Sequence, residues 1–166
     1  GEAYLKVLSE IERFIIIWHN HDGDRFVKGD ILMELSGDSH TLLRIERTLL
    51  NILLHASSIA TLTRKYVDLI AAYGTKLLDT RKTRPLLRNF EKYATRIGGA
   101  TNHRMGLDDA LMLKDTHLKT IENLEVFMAE ARQKIPFTSK IELEAEDFEM
   151  VKKAMTVGAD IVMCDN

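Results

Sequence analysis

KIELEAEDFEMVKKAMTVGADIVMCD, residues 140–165, reads as a strand, a helix and a second strand in succession. In KIELEA (140–145) the alternation puts Ile141 and Leu143 on one face and Lys140, Glu142 and Glu144 on the other. Residues 146–157 then carry helical spacing, and ADIVMCD (159–165) returns to an apolar strand. A short strand, an amphipathic helix and another strand form the βα repeat of a parallel sheet. Both strands pass from apolar into charged residues at their C-terminal ends, Glu142 with Glu144 in one and Asp165-Asn166 in the other.

The same alternation extends upstream. ALMLKD (110–115) precedes a helical pattern over 119–135, and KLLDTRK (76–82) precedes one over 85–97, with Pro85 placed in a first turn. These strands also end in charge, at Lys114-Asp115 and at Asp79-Thr80-Arg81-Lys82. Active sites of α/β barrels and open α/β sheets lie at that end, where the connecting loops converge. Before Gly74 the pattern differs. FIIIWH (14–19) and DILMEL (30–35) read as two strands joined by a polar turn at Asp22-Gly23-Asp24. Asp38 or Ser39 then caps a long helix whose apolar positions Ile45, Leu49, Ile52, Ala56, Ile59, Val67 and Ile70 recur every three or four residues until Gly74 ends it.

The chain has 166 residues, 45% hydrophobic and 29% charged, with two prolines, a composition that folds rather than remaining disordered. A formal net charge of −2 gives no overall field for nucleic acid or an anionic membrane surface, so any anion site is local. Cys164 is the single cysteine, which excludes an intrachain disulfide and fits a reducing compartment. No apolar run reaches the ~20 residues of a membrane span, and residues 1–13 lack a signal-peptide pattern, so the expected compartment is the cytoplasm.

Arg81, Lys82, Arg84, Arg88, His103, Arg104 and Lys114 all fall at or just after expected strand ends. Such clustering is tolerable if a multiply anionic ligand occupies the space, and arginine suits carboxylates and phosphates because its fork grips two oxygens. For Arg84 and Arg88 a solvated helix face explains the charge equally well. Glu144 and Asp165, with Glu142 nearby, provide the one or two carboxylates that magnesium uses beside substrate phosphates, or they simply neutralise the arginines. Arg44, Arg47, Asn51 and His55 form a polar stripe that usually means solvent. His19 and His21 beside Asp22 and Asp24 read as a polar turn, not a metal site, and Cys164 as a small core residue. These residues imply an α/β enzyme for a phosphate-bearing or multiply carboxylated substrate. The rival reading makes Lys114 a Schiff-base lysine in an aldolase-like barrel.

Five ordered blocks carry a resemblance: ERTLLNILLHASSIATLT (46–63), DTRKTRPLLRNFEKYA (79–94), GGATNHRMGLDDALMLKDTH (98–117), IELEAE (141–146) and ADIVMCDN (159–166). In this order and spacing the chain resembles the quinolinate phosphoribosyltransferase family across nearly its whole length. The resemblance implies an α/β protein in two parts: an N-terminal α/β sandwich, here 1–73, and an incomplete open α/β barrel, TIM-like and of phosphoribosyltransferase type II, here 74–166. It implies phosphoribosyl transfer from phosphoribosyl pyrophosphate to quinolinate with loss of CO2, magnesium as cofactor, and a homodimer or larger assembly with shared sites. Arg47 matches the arginine that reaches a neighbouring subunit's site. Thr80, Arg81, His103, Arg104 and Lys114 match residues around quinolinate, and Lys82 one on the phosphoribosyl pyrophosphate side. Glu144 and Asp165 match the acids near ribose and magnesium, and Lys114 acts with them as a charge and hydrogen-bond donor.

Ser58 and Leu86 stand where the family commonly has glycine, and Cys164 where it is usually aliphatic. The chain starts midway through the expected first domain and stops at Asp165-Asn166, before later barrel strands whose glycine-rich turns cradle the ribose phosphate. It reads as a fragment, or the ordered portion of a longer chain, whose parent carries the activity. The alternatives are a truncated, non-catalytic subunit-binding domain and a related nicotinate phosphoribosyltransferase.

Overall fold

Phe14–Trp18 (β1) and Met33–Gly37 (β2) pair antiparallel, with Phe14 opposite Gly37 and Trp18 opposite Met33. The computed structural model describes residues 2–165, which form two compact units, one up to His103 and one from Arg104. In the first unit a helix absent from the sequence reading, Glu2–Ile11 (α1), precedes β1 and buries Leu5 completely. Tyr4, Leu5, Val7, Leu8 and Ile11 recur at helical spacing, so periodicity does signal this helix although Leu5 is its buried member.

β2 begins three residues later than the strand expected over 30–35, because the connection from β1 holds a second turn. Asp24 N–H bonds to His21 O (3.0 Å), and Asp30 N–H bonds to Val27 O (3.1 Å) while the Asp30 carboxylate accepts from Val27 N (2.8 Å). That closure keeps Asp30 and Ile31 out of the paired strand, while the Leu32 carbonyl still accepts from His19 N (3.0 Å) and Asn20 N (3.1 Å).

Asp38 caps the long helix Ser39–Ile70 (α2), its side chain accepting from Thr41 N at 3.2 Å. A 3-10 turn at Ala71–Tyr73 and the left-handed Gly74 close it. Residues from Gly74 to His103 pack in the same unit. Arg88–Ile97 (α3) lays Phe90 and Ala94 against Ala56 of α2, with Ile52 and Ile59 alongside. Gly98 lets the end of α3 come this close: a β-carbon there would lie 2.6 Å from both the Ala60 carbonyl oxygen and Thr63 Cβ.

Two expectations in this stretch need correction. Residues 76–82 form no strand but a single parallel bridge, Leu78 to Thr101. The bridge goes no further because the Asp79 carboxylate takes the His103 amide (2.8 Å). Pro85 is not in a helical first turn. Leu87 N–H bonds to Arg84 O (3.2 Å), and Leu86 adopts φ +64°, a left-handed conformation that cannot begin a right-handed helix.

The second unit holds Leu111–Leu113 (β3), Asp115–Leu118 (α4), Leu124–Lys134 (α5), Ile141–Ala145 (β4), Phe148–Thr156 (α6) and Ile161–Cys164 (β5). The three strands are parallel in the order β3-β4-β5, as the βα reading requires. α5 starts at Leu124 rather than 119 because Asn123 caps it, accepting from Val126 N at 3.0 Å. Asp147 caps α6 in the same way. One face of the sheet presents Leu113, Ile141 and Leu143 to Leu124, Met128, Ala131 and Ala154. Cys164, expected in a core, is exposed: β5 is an edge strand among the described residues and only half-buried in its middle. No helix of the described residues is long and apolar enough to cross a membrane.

Candidate active site

Opposite its apolar face, the sheet of the second unit carries charge. Register pairs Met112 with Glu142, Glu142 with Ile161, and Glu144 with Met163. Alternation therefore places Met112, Lys114, Glu142, Glu144, Met163 and Asp165 on one side. Glu142 and Glu144 are 3% and 6% exposed, although the sheet's other face already supplies the hydrophobic core. Lys114 Nζ lies 3.3 Å from Glu144 Oε1, and Asp115 N lies 3.4 Å from Glu144 Oε2. The Lys119 ammonium, 3.1 Å from Asp115, holds that neighbouring carboxyl below the usual range.

Arg104 leans toward the same side. It donates to the Ala110 carbonyl (3.2 Å) and to Met112 Sδ (3.0 Å), a fixed guanidinium with donors left over. Asp165 continues β5 beyond Cys164, its N–H bonding to Ala145 O at 3.0 Å, which leaves its carboxyl on the Glu144 side by register. Asn166 lies outside the described residues. The arrangement offers two cations and up to three acids at neighbouring strand ends. Lys114 is 46% exposed on its side chain and paired with a carboxylate. Among the described residues Lys114 is therefore not in the desolvated pocket that a Schiff-base lysine needs.

The first unit carries cations of its own. Thr80, Arg81 and Lys82 form a tight turn, with Lys82 N–H bonding to Thr80 Oγ1 (3.1 Å) and Thr83 N–H to Arg81 O (2.8 Å). Arg81 Nε is buried and makes no hydrogen bond among the described residues. Beneath the turn, Asp79 accepts from Lys92 Nζ (2.5 Å), Asn102 Nδ2 (2.6 Å) and His103 N (2.8 Å). Lys92 is fully buried, and the sequence reading passed over it. On α3 it points away from the stripe of Phe90 and Ala94, so helical periodicity assigns it to solvent.

The polar stripe on α2 divides. Arg47 and Asn51 are exposed and Arg44 pairs with Glu12. His55, however, is half-buried, stacks on Phe90 at 5.7 Å, and meets Glu91 (3.0 Å) and the Arg84 guanidinium (2.8 Å). Arg84 is therefore engaged in a cluster and not merely solvated. His19 and His21 bind Glu34 and Glu2 respectively.

Residues 2–57 match the family model described as the quinolinate phosphoribosyl transferase N-terminal domain, and residues 59–166 match its C-terminal domain. The chain belongs to the quinolinate phosphoribosyltransferase family. Relatives include a probable carboxylating nicotinate-nucleotide pyrophosphorylase of Bacillus subtilis, 43% identical over 150 residues, 90% of this chain and 52% of that one. Its counterpart in Synechocystis sp. is 42% identical over 145 residues, 87% of this chain and 49% of that one. The solved nicotinate-nucleotide pyrophosphorylase of Francisella tularensis superposes with a TM-score of 0.94 at 35% identity, covering 100% of this chain and 60% of that one. The family's mixed α/β fold is thus present, and the chain spans about half the length of the curated relatives it matches.

Proposed function

We propose that the protein acts in the family's reaction, transferring phosphoribosyl from phosphoribosyl pyrophosphate to quinolinate with loss of CO2 to give nicotinate mononucleotide. The observation that carries this reading is the charged side of the second unit, where Lys114 meets Glu144 and Arg104 is anchored on Ala110 and Met112, in a chain 42–43% identical to enzymes named for this activity. A pyridine with two carboxylates has two places for such cations, whereas nicotinate has one.

Arg104 receives a carboxylate through the donors its own contacts leave over. Lys114 acts as an electrostatic donor; Thr80, Arg81 and His103 are taken as quinolinate-binding residues, and Lys82 as one on the phosphoribosyl pyrophosphate side, on the family resemblance alone. The pyridine nitrogen attacks the anomeric carbon as its bond to pyrophosphate oxygen breaks, through an oxocarbenium-like transition state. The ring nitrogen then carries positive charge. When the adjacent C–C bond breaks and CO2 departs, that charge stabilises the electron pair left on the ring carbon, which takes up a proton.

Glu144 and Asp165 fit magnesium in one sense only: two carboxylates on one side suit an ion carried by substrate oxygens, and no group of three or more such ligands is assembled among the described residues. Those two residues would hold it, and when bound it supplies charge neutralisation of the departing pyrophosphate. Arg47, exposed on α2, would enter the site of a second copy in a homodimer or larger assembly, in the cytoplasm. The test is incubation of the full-length protein with phosphoribosyl pyrophosphate, magnesium and carboxyl-labelled quinolinate. Release of labelled CO2 with equimolar nicotinate mononucleotide is expected. Turnover of nicotinate with no release from quinolinate would replace this reading with the nicotinate one.

A further inference from the structure

We infer that Lys92, Asp79 and Asn102 are positioning residues, a buried clamp that fixes the backbone of the two cation-bearing segments of the first unit, Thr80–Lys82 and Asn102–His103. The inference deepens the proposed function and rests on it for the identity of the substrate. It does not rest on it for the geometry.

The β-pairing of these segments ends at the single bridge between Leu78 and Thr101. Past that point the chain needs the two segments held together yet free to leave the plane of a sheet, and side chains take over from the ladder. Asp79 accepts the His103 amide at 2.8 Å, and Lys92 Nζ donates to the His103 carbonyl at 3.2 Å, so both backbone polar groups of His103 are gripped by one ion pair. Asn102 Nδ2 bridges Asp79 Oδ2 (2.6 Å) and the Lys92 carbonyl (2.9 Å), tying the pair to its own helix. The lysine side chain is 1% exposed and the aspartate 9%.

A buried pair of this kind is weak evidence for stability, because its desolvation cost offsets the attraction and well-packed apolar groups often do as well. What it supplies here is direction. Besides each other, the Lys92 ammonium and the Asp79 carboxylate meet three separate groups, the His103 amide, the His103 carbonyl and the Asn102 side chain, at fixed angles, which an apolar contact cannot do. None of the three residues is in the substrate set, so their effect passes through Thr80–Lys82 and His103.

The test uses the full-length protein and two variants, Lys92→Met alone and Asp79→Asn combined with Lys92→Met. The single variant strands a buried carboxylate and is the one expected to fold poorly; the double removes both charges with little change of volume. Three quantities are read on each: the thermal transition, amide hydrogen exchange at His103 and across Thr80–Lys82, and steady-state kinetics with quinolinate. In the double variant the thermal transition should return near that of the wild type. The His103 amide should nonetheless exchange at least about tenfold faster, and KM for quinolinate should rise about 10–100-fold with a much smaller change in kcat, the pattern of weakened binding of ground and transition state alike.

Recovery of the transition, the exchange rate and KM together would overturn the inference and leave the pair a packing element, as would faster exchange with KM unchanged. If the wild type itself takes no quinolinate, the proposed function fails. The exchange rate then decides the clamp by itself, faster exchange upholding it and unchanged exchange refuting it.

Discussion

Each unit contains a lysine–carboxylate pair, and the two are built differently. In the first unit Lys92 and Asp79 lie 2.5 Å apart with side chains 1% and 9% exposed, and further donors saturate the aspartate. In the second unit Lys114 and Glu144 lie 3.3 Å apart, with the lysine 46% exposed and the glutamate 6%. The first pair is buried and engaged with the His103 backbone and the Asn102 side chain. The second is loose on its cationic side, so an incoming anion can compete for the ammonium without a buried network being dismantled. The comparison separates a buried pair that holds the fold locally from a half-exposed pair that, on the proposed function, would meet the substrate.

The comparison breaks most readily at Lys92. Replacing it with Met leaves Asp79 buried without its counter-charge, which should cost about 3–5 kcal/mol of folding stability by urea titration. The matching change in the second unit, Lys114→Met, should act mainly on the reaction. With folding little changed, kcat should fall about 10²–10³-fold, the effect of deleting one preorganised electrostatic donor. Equal folding losses in the two variants would erase the distinction.

A third pair sharpens it. The Tyr93 hydroxyl donates to Asp22 (2.5 Å), and burial first, then this carboxylate, push the phenol up to about 12. A raised folded-state value means that the contribution is fully present below the unfolded phenol value of about 10 and is lost as pH rises toward 12. The unfolding midpoint in urea should fall between those limits for the wild type and stay flatter for Tyr93→Phe. The smallest effect is expected at Leu86, fully exposed and held at φ +64°. Leu86→Gly relieves the left-handed strain but gains unfolded-state freedom, leaving a net stabilisation under about 1 kcal/mol, a rise of about 2–4 °C in Tm at most.

Much of this was legible in the sequence. The alternation in KIELEA separated Ile141 and Leu143 from Glu142 and Glu144 correctly, because a strand's period of two is fixed by the pleat. The left-handed Gly74 that closes the 3-10 turn after α2, and an N-cap at Asp38, one of the two candidates there, followed from the local chemistry of helix termini. What failed was what depends on partners. The stretch 76–82 has the composition of a strand but meets its neighbour at one residue only, since Asp79 turns its side chain to His103. Lys92 looks like an ordinary surface lysine until the fold places Asp79 against it. Leu86, noted as standing where relatives commonly have glycine, turned out to occupy a glycine-like conformation, a fact that φ alone discloses.

Of the site itself, Lys114 and Glu144 were recognisable as strand-end charges and do meet. Arg104 was recognisable as a cation, but its anchoring on Ala110 and Met112 was not. His55 was assigned to solvent because a polar helical stripe normally is; its engagement with Glu91 and Arg84 comes from a segment distant in sequence.

The most direct test of the central claim, that the charged side of the second unit receives a pyridine dicarboxylate, is calorimetric titration of the full-length protein with quinolinate and, in parallel, with nicotinate. Quinolinate should bind at least about tenfold more tightly, and Arg104→Ala should remove that preference by deleting a charge-assisted partner. Equal affinity for the two acids, or an Arg104→Ala variant that still prefers quinolinate, would contradict the account.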